Sequence, residues 1–478
     1  MAIAGPPGAM LAALAACAVG PDFKRPETPG SAYRQPPVTT GSQTLQPGGD
    51  VAADWYSLFG SPALDRLVQE ALRANPDLEA ARHNLRAAQF ELEAVAGSAL
   101  PQVEVGASAE RAKVNGSLLY QADNTLQITA NQFSLGPTLA YDLDIFGRLR
   151  RTIEAQAAQT SSVQRRMSNV YITLVDQVVT TAFNYAAAVA QIEVTRKLVT
   201  DLQSQYDLTH LLEEAGKLVR SDTLQAQAQL ETTRATLPAL EKQRDVYRNS
   251  LLQLTGKTPQ DSDVPQIALG DFTLPAQLPV SLPAALVRQR PDILEAEDLL
   301  HEASAAIGVA EAARFPSLSL SGQFAQQSIK TADLLTQSAS IWSAGLAVTA
   351  PVFEGGRLRA REKEARERLS AAQAQYRSVV LGAFVEVQNT LEALQHDADD
   401  SAAHANALEA ASANRDLARQ QFEQGRVNEL VVLTAEQQYQ SAALGAIQAN
   451  VQRFADTARL FHALGGGWWK VPEDGGLQ

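Results

Sequence analysis

The chain has 478 residues, a formal net charge of −13 and 45% hydrophobic residues, which is ordinary globular composition. The acidic balance and the lack of a basic stripe argue against a nucleic-acid-binding protein. Because no stretch of about 18 apolar residues occurs, no transmembrane helix is predicted. The single cysteine, Cys17, excludes an internal disulfide and a CxxC metal or redox site.

Residues 1–17 have the character of a targeting segment. They contain no charged side chain and end in Leu-Ala-Ala-Cys, which resembles the lipobox of bacterial lipoproteins. In a lipobox the cysteine sulfur takes a diacylglycerol and the chain is cut just before the cysteine. We therefore expect a signal peptide over 1–16 and a covalent lipid on Cys17; the alternative is a small buried cysteine. Since no Lys or Arg precedes Lys24, we also expect the coding region to begin upstream of Met1.

The rest of the chain consists of two copies of one unit. Four segments return in the same order roughly 210 residues later. They are ANPDLEAA at 74–81 and RPDILEAE at 290–297, LPQVEVGAS at 100–108 and FPSLSLSGQ at 315–323, DIFGRLRR at 144–151 and VFEGGRLRA at 352–360, and GKLVRSDTLQAQ at 216–227 and GRVNELVVLTAE at 425–436. The preserved order favours a duplication over chance similarity between Ala-rich helices.

Each copy predicts a helix of medium length, two strands, a very long helix and a closing helix. The expected helices are 62–98, 148–214 and 221–254 in the first copy, and 283–314, 356–424 and 430–464 in the second. The expected strands are about 101–113, 132–146, 316–328 and 340–352. Pro76 and Pro291 each begin a fresh helical segment. A helix of about 67 residues is about 100 Å long, so an elongated protein is expected.

Glycines are expected to end both long helices. Gly216 and Gly425 fit the left-handed residue that terminates a helix. Ser221 and Asn428 can cap the helices that follow, and Pro238 should kink the first of these. Heptad spacing of apolar residues in the closing helices predicts side-by-side packing.

The strands alternate apolar and polar residues, most clearly in QFSLGPTLAYDLDIF and SLSLSGQF. A soluble sheet packed on helices is one interpretation. The other is a lipid-facing barrel, for which four strands are too few, since known barrels begin at about eight. Open strand edges are unfavourable in lipid, so three chains would share twelve strands. Pro137 is expected at a bend or bulge.

Together these markers resemble the TolC/OprM-type outer membrane factors, in their lipoprotein (NodT-type) branch. The matching stretches are CAVGPDFKRP, NPDLEAA, LDIFGRLR, LTGK, RPDILEAE, FPSLSLSG and PVFEGGRLRA. The resemblance implies a mainly α fold with a small β part. It also implies a homotrimer with a twelve-strand β-barrel, a long periplasmic α-helical barrel and a mixed equatorial domain. The expected divisions are 1–16 signal peptide, 17–60 lipidated N-terminal segment and equatorial part, 61–256 first repeat, 257–282 equatorial linker, 283–464 second repeat and 465–478 equatorial tail.

The same resemblance implies the outer membrane channel of a tripartite efflux system. Such a channel passively conducts drugs or other small compounds from an inner-membrane pump, here expected to be of the resistance–nodulation–division type, and a periplasmic adaptor. Ala18 after the cysteine, in place of Asp, favours delivery to the outer membrane, where the protein contacts lipid. A type I secretion duct for exported proteins is the alternative function. A purely structural periplasmic coiled coil is disfavoured by the four amphipathic strands.

No catalytic constellation stands out. His301-Glu302 lacks a second histidine for a zinc site, and TGKT at 255–258 lacks the first glycine of a P-loop because residue 251 is Leu. The TGKT stretch is interpreted as a helix end instead. No enzyme activity, metal or cofactor is expected, apart from the lipid on Cys17.

The family resemblance places the turns at Gly216 and Gly425 around the periplasmic opening. Asp222 matches an aperture aspartate of the family, although a local role at a helix N-terminus is an equal alternative. The positions of the second-copy aspartates hold Val431 and Thr434, so an apolar constriction from Val431 or Val432 is expected. Charged residues near the turns can bridge adjacent tips, and the adaptor is expected to replace these contacts; they are Arg220, Arg426 and Glu429, with Glu213, Glu214 and Glu423.

Overall fold

The computed structural model describes residues 18–27, 39–115, 127–260, 264–281 and 283–471. Its contacts divide the chain into two compact units. The first comprises Leu85–Val163, Ala296–Tyr376 and the N-terminal segment up to Pro26; the second comprises Glu27–Asn84, Gln164–Glu295 and Arg377–Gln478. Cys17 and the expected signal peptide lie outside the described residues.

Nine α-helices occur in the described part of the chain. They are α1 Pro62–Ala74, α2 Pro76–Gly97, α3 Arg148–Glu214, α4 Arg220–Arg234, α5 Leu237–Leu254, α6 Pro283–Gln289, α7 Pro291–Ala312, α8 Arg357–Glu423 and α9 Glu429–Ala463. Both very long helices are confirmed, α3 with the predicted bounds and α8 within one residue of them. None of the helices formed by these residues has a stretch apolar enough to cross a membrane.

The medium helices break where the sequence places proline. Asn75 ends α1 and caps α2, because its Oδ1 accepts the N–H groups of Asp77 (2.9 Å) and Leu78 (3.1 Å). Pro76 then occupies the first helical position, where a missing N–H costs nothing. Pro291 begins α7 in the same way, as predicted.

The first closing helix is interrupted and not merely kinked. It ends at Arg234 and restarts at Leu237 as α5, with Pro238 in the first turn of the new segment. Proline lacks the N–H that a continuous helix needs, so the break lies immediately before it. The second closing helix has no proline and runs unbroken as α9.

The start of α3 is capped by an aspartate in an unusual backbone conformation. Asp144 has φ +44°, and its two carboxylate oxygens accept the N–H groups of Leu149 (2.8 Å) and Arg150 (2.9 Å). Short polar residues tolerate the left-handed region better than most. Gly147, with φ +78°, completes the turn from strand to helix.

The first unit contains one antiparallel sheet of four strands in the order β3-β4-β6-β7. The strands are β3 Gln102–Asn115, β4 Gln127–Asp142, β6 Ser317–Ser328 and β7 Ser340–Thr349. The predicted strands are therefore present, with the second beginning earlier and ending earlier than expected. The second unit holds a small sheet of β1 Thr39–Thr40, β2 Gln43–Pro47 and β5 Gln277–Val280.

The register of the large sheet collects apolar residues from both copies on one face. Leu139 pairs with Val103 on one side and with Gly322 on the other, and Leu320 pairs with Leu346. Paired residues of an antiparallel ladder point to the same side. That face carries Val103, Val105, Phe133, Leu135, Pro137, Leu139, Tyr141, Leu318, Leu320, Phe324, Trp342, Leu346 and Val348. The opposite face carries Gln102, Glu104, Ser108, Gln132, Ser134, Thr138, Ser319, Ser321, Gln323 and Ser343.

Of the bend or bulge expected at Pro137, the bulge is absent. Between β4 and β6 the register is the same before Gly136 (Leu135 with Gln326) and after Pro137 (Thr138 with Gln323), so no extra residue is inserted. A bulge would have changed that register by one residue. Instead the strands approach closely, and a Cβ on Gly136 would lie 2.1 Å from the carbonyl oxygen of Phe324.

The core of the second unit is an aromatic cluster. Phe183 lies 4.9 Å from Phe59, 4.8 Å from Phe272 and 5.3 Å from Phe454, measured between ring centroids. Trp55 stacks on Phe461 at 5.1 Å. Aromatic pairs at such distances contribute beyond their buried area. They join α3 and α9 to the segments that precede α1 and β5.

Replacing Gly136 by Val should separate β4 from β6. The added Cβ meets backbone atoms, which cannot rotate away, so a cost of about 1–3 kcal/mol is expected. The measurement is the heat resistance of the assembled protein in mild detergent. Gly106→Val is the matched control, because Gly106 is the partner of Gly136 across β3 and a Cβ there meets nothing within 4 Å. Equal heat resistance of both variants would contradict the close approach.

Candidate functional site

The first turn, at Gly216, ends α3 in a Schellman motif. The N–H of Lys217 donates to the carbonyl of Leu212 and the N–H of Gly216 donates to that of Glu213, each at 2.8 Å. Gly216 has φ +66°, a conformation that disfavours any residue with a Cβ. The role predicted for this glycine is therefore confirmed.

The second turn repeats this geometry at Gly425. The N–H of Arg426 donates to the carbonyl of Gln421 at 2.9 Å, and Gly425 has φ +69°. Asn428 then caps α9, as predicted, because its Oδ1 accepts the N–H of Val431 at 3.4 Å. The two copies of the sequence thus end their long helices by the same backbone hydrogen bonds.

The helix after the first turn begins one residue earlier than expected. Its N-cap is Val219, which offers no side-chain oxygen, so Ser221 does not act as the cap. The hydroxyl of Ser221 instead lies 3.5 Å from the carboxylate of Asp222. Asp222 is half-buried in the first turn, where a helix N-terminus favours a carboxylate.

Four of the six gate candidates lie at the surface of the chain. Arg220 and Arg426 are exposed, and neither makes a side-chain hydrogen bond or ion pair with another described residue. Val431 is 44% exposed, and Asp222 is half-buried. These four side chains are free to meet a neighbouring copy or a partner, and their place in a gate stays a prediction.

The other two candidates, Val432 and Glu429, are buried inside the chain. Val432 is only 1% exposed and packs with Ala418, Ala435 and Phe422, so it is a core residue and not part of an apolar constriction. Glu429 is 3% exposed, so it can bridge the two hairpins of its own chain but does not reach a neighbouring copy. Successive helical residues point about 100° apart, which is why Leu430 and Val431 face outward while Glu429 and Val432 are buried.

Glu429 instead joins α9 to α3 inside the chain. Its Oε1 accepts a hydrogen bond from Nε2 of Gln205 at 2.8 Å, and its Oε2 has no hydrogen-bond partner among the described residues. Burial raises the pKa of Glu429 above its usual value, and the nearby charge of Asp222 adds to the rise. Hydrogen bonds from Gln205 and Thr209 oppose it.

A second buried carboxylate on α9 is tied to both long helices. Glu436 is 2% exposed and accepts a hydrogen bond from Nε of Arg419 on α8 at 2.5 Å. The same guanidinium donates to Asp201 on α3 at 3.0 Å. Burial raises the pKa of Glu436, while the charge of Arg419 opposes the rise. One arginine therefore links three helices near the turns.

The three residues of this link were not predicted from the sequence. Asp201 lies well before the first turn, Arg419 lies six residues before Gly425, and Glu436 ends the repeated segment GRVNELVVLTAE, but nothing in that repeat singles it out. A signal was available in principle, because a charged residue at an inward heptad position breaks an apolar seam. Leu433, three residues before Glu436, lies in the cluster with Leu198, Leu202 and Leu230, which shows that this face of α9 points inward.

Comparisons with known proteins agree with this architecture. The family model described as outer membrane efflux protein matches residues 67–257 and 282–466. The cation efflux system protein CusC of Escherichia coli O6:H1 is 29% identical, with 95% of this chain and 97% of CusC covered. Nodulation protein T of Rhizobium leguminosarum is 28% identical, with 95% and 92% covered. The solved outer-membrane channel OprN superposes with a TM-score of 0.86 at 28% identity, over 95% of this chain and 100% of that one.

These similarities confirm the resemblance to TolC/OprM-type outer membrane factors, including the NodT-type branch. They also favour efflux over a duct for secreted proteins, because the family description and the name of CusC both specify efflux.

Replacing Glu429 by Gln should stabilise the assembled protein at pH 8 and leave it unchanged at pH 4. The unfolded carboxyl ionises near 4.5 and the folded one at higher pH, so below 4.5 both states are protonated and no penalty exists. The penalty grows as pH rises through the folded pKa. The expected gain at pH 8 is at least about 1 °C in the thermal midpoint.

The exposed Glu423→Gln serves as the control and should shift the midpoint at neither pH. If Glu429→Gln lowers the midpoint at pH 8, the carboxylate is favoured in the folded state and this account of its burial is wrong.

Proposed function

The chain belongs to the outer membrane efflux protein family, and on that premise we propose that its pump partner is of the resistance–nodulation–division type. The protein is an outer membrane channel of a tripartite efflux system, extends into the periplasm, and works as a trimer with a periplasmic adaptor and an inner-membrane pump. Its cargo, in this proposal, consists of drugs or other small compounds that pass without chemical change.

The exposed apolar face of the large sheet is the observation that supports a membrane channel. Trp342 is 77% exposed in the single chain, and Val103, Val105, Leu346 and Val348 on the same face are also exposed. Large contiguous apolar patches on a protein surface indicate an interface with another protein or with a membrane. A face of this kind, with a polar face behind it, suits a sheet between lipid and a polar lumen.

The edges of this sheet support closure by further copies. The outer sides of β3 and β7 have no strand partner within the described chain. Unpaired backbone groups in lipid cost several kcal/mol each, so both edges need partners there. Three copies supply twelve strands, which is within the range of closed membrane barrels.

The lipid anchor remains part of the proposal. Cys17 would carry the covalent lipid and add outer membrane lipid to the partners of the chain. An acyl chain holds a protein less firmly than a spanning element does, so the sheet would be the main anchor.

The gate in this proposal combines the exposed Val431 with the exposed charges of Arg220 and Arg426 and the half-buried Asp222. Hydrophobic constrictions gate pores by excluding water. Exposed ion pairs each contribute at most about 1 kcal/mol, so tip contacts of this kind stay easy to open. The adaptor would replace them with contacts of its own.

The expected result of combining Val431→Ser with Arg426→Ser is an increase in single-channel conductance in planar bilayers of at least about twofold. Removing an apolar side chain and a tip charge weakens the closed state without touching the core. Unchanged conductance of a normally assembled double variant would place the constriction elsewhere.

Val432→Ser is the matched control for this experiment. It buries a hydroxyl in the core at a cost of about 1–3 kcal/mol, so the yield of assembled protein should fall without a rise in conductance.

Labelling with radioactive palmitate tests the anchor. The wild-type protein should take up the label, and Cys17→Ser should abolish it, since the sequence has no other cysteine. The substitution should leave trimers intact, because strand pairing does not need the lipid. A wild-type protein without label would refute the anchor.

A further inference from the structure

The segment that follows Cys17 is held against the first unit. The N–H of Val19 donates to the carbonyl of Phe146 at 3.2 Å, four residues after the end of β4. Ala18 lies against Gly147, since a Cβ added to Gly147 would lie 2.7 Å from the Cβ of Ala18. The described chain therefore begins at the end of the sheet from which α3 starts. We call residues Val19–Arg25 the strap.

Arg151, in the first turn of α3, makes three hydrogen bonds to the strap. Its guanidinium donates to the carbonyls of Val19 (3.2 Å) and Gly20 (3.3 Å) and to the carboxylate of Asp22 (2.8 Å). Burial lowers the pKa of Arg151, but its hydrogen bonds to Asp22 and Glu154 raise it more, so the group stays charged. The planar fork of arginine suits several acceptors at once.

The strap has two further points of attachment on α7. The ring of Phe23 stacks on the ring of His301, with centroids 4.4 Å apart and planes 16° apart. His301 in turn lies 2.9 Å from Glu154, which also accepts a hydrogen bond from Arg151 at 2.7 Å. At the end of the strap, Nε of Arg25 donates to the buried Glu297 at 2.5 Å.

Glycines allow this close approach. A Cβ on Gly308 of α7 would lie 2.8 Å from Cγ of Arg151 and 2.9 Å from the carbonyl oxygen of Val19. A Cβ on Gly20 would lie 2.4 Å from Cα of Gly308. Contacts this short are not found for real Cβ atoms, so the backbones of strap and helix meet only because both positions are glycine.

We propose that Arg151, Glu154, Glu297, His301 and Gly308 form a receptor site for the strap, with Arg151 as its positioning residue. The ligand of this site is the chain's own segment Val19–Arg25. The site holds the N-terminus at the end of the sheet and so fixes where a lipid on the preceding cysteine meets the membrane. This last step rests on the anchor set out under Proposed function.

A physical advantage follows from such a site. A lipid anchor holds a protein less firmly than a membrane-spanning element does, and a fixed position beside that element lets the two bind the membrane together. Holding the acylated end beside the sheet raises its effective concentration at the same membrane. A loose N-terminus would let the lipid and the sheet act separately.

Hydrogen exchange measured by mass spectrometry on the full-length trimer in mild detergent tests the site. Arg151→Met and Gly308→Ala should each speed exchange in peptides that cover 18–27 by at least about tenfold, because local opening then exposes the amide of Val19. Arg151→Lys, which keeps the charge but not the fork, should give an intermediate rate.

Gly97→Ala is the matched control, since a Cβ at this position in the same unit meets nothing within 4 Å. Faster exchange confined to the strap supports the site. Unchanged exchange in both variants, or faster exchange throughout the unit, overturns it.

Labelling with palmitate distinguishes a failure of the strap site from a failure of the lipid anchor. If the label is present, trypsin should release it after Lys24 from Arg151→Met and not from the wild type. If no label is found in any of these proteins, the anchor fails while the exchange result still decides the site.

Discussion

The antiparallel ladder between β4 and β6 joins the two copies of the sequence, and its register determines the polarity of the whole sheet. A shift of one residue would turn every side chain of a strand to the opposite face. With Tyr141 paired to Leu320, apolar residues of four strands lie on one face and polar residues on the other. The membrane location of the family depends on that separation, because a mixed face suits neither lipid nor water.

Near the helix turns, buried charged groups constrain how the helices pack. Arg419 of α8 bonds to Asp201 of α3 and to Glu436 of α9, so it connects three helices. Glu429 connects α9 to α3 through Gln205. Isolated buried charges are costly, so such groups persist where partners surround them. Inside one chain these contacts hold the two hairpins together. Val431 and Arg426 stay exposed on the single chain.

The N-terminal strap shows how a short segment without regular structure becomes ordered. The strap has few apolar side chains. It is held by charge-assisted hydrogen bonds to Arg151 and by close backbone contacts at Gly20 and Gly308. The stretch GPDF at 20–23, part of the family-like segment CAVGPDFKRP, thereby acquires a physical role. Gly20 allows the approach, Asp22 binds the guanidinium and Phe23 stacks on His301.

The sequence by itself determined the elements that local rules control. Periodicity and the absence of proline determined α3 and α8, and Gly216, Gly425 and Asn428 determined the turns, because helix ends depend on residues within one turn. The repeat and its motifs determined the family.

The tertiary structure decided which residues face inward. Val431 and Val432 are alike in sequence, and only the packing of α9 on α8 buries one and exposes the other. It also decided that Pro137 causes no bulge, that Glu429 is internal and that Arg151 binds a segment more than a hundred residues away. Such contacts depend on how distant elements pack, which neighbouring residues in the sequence do not specify.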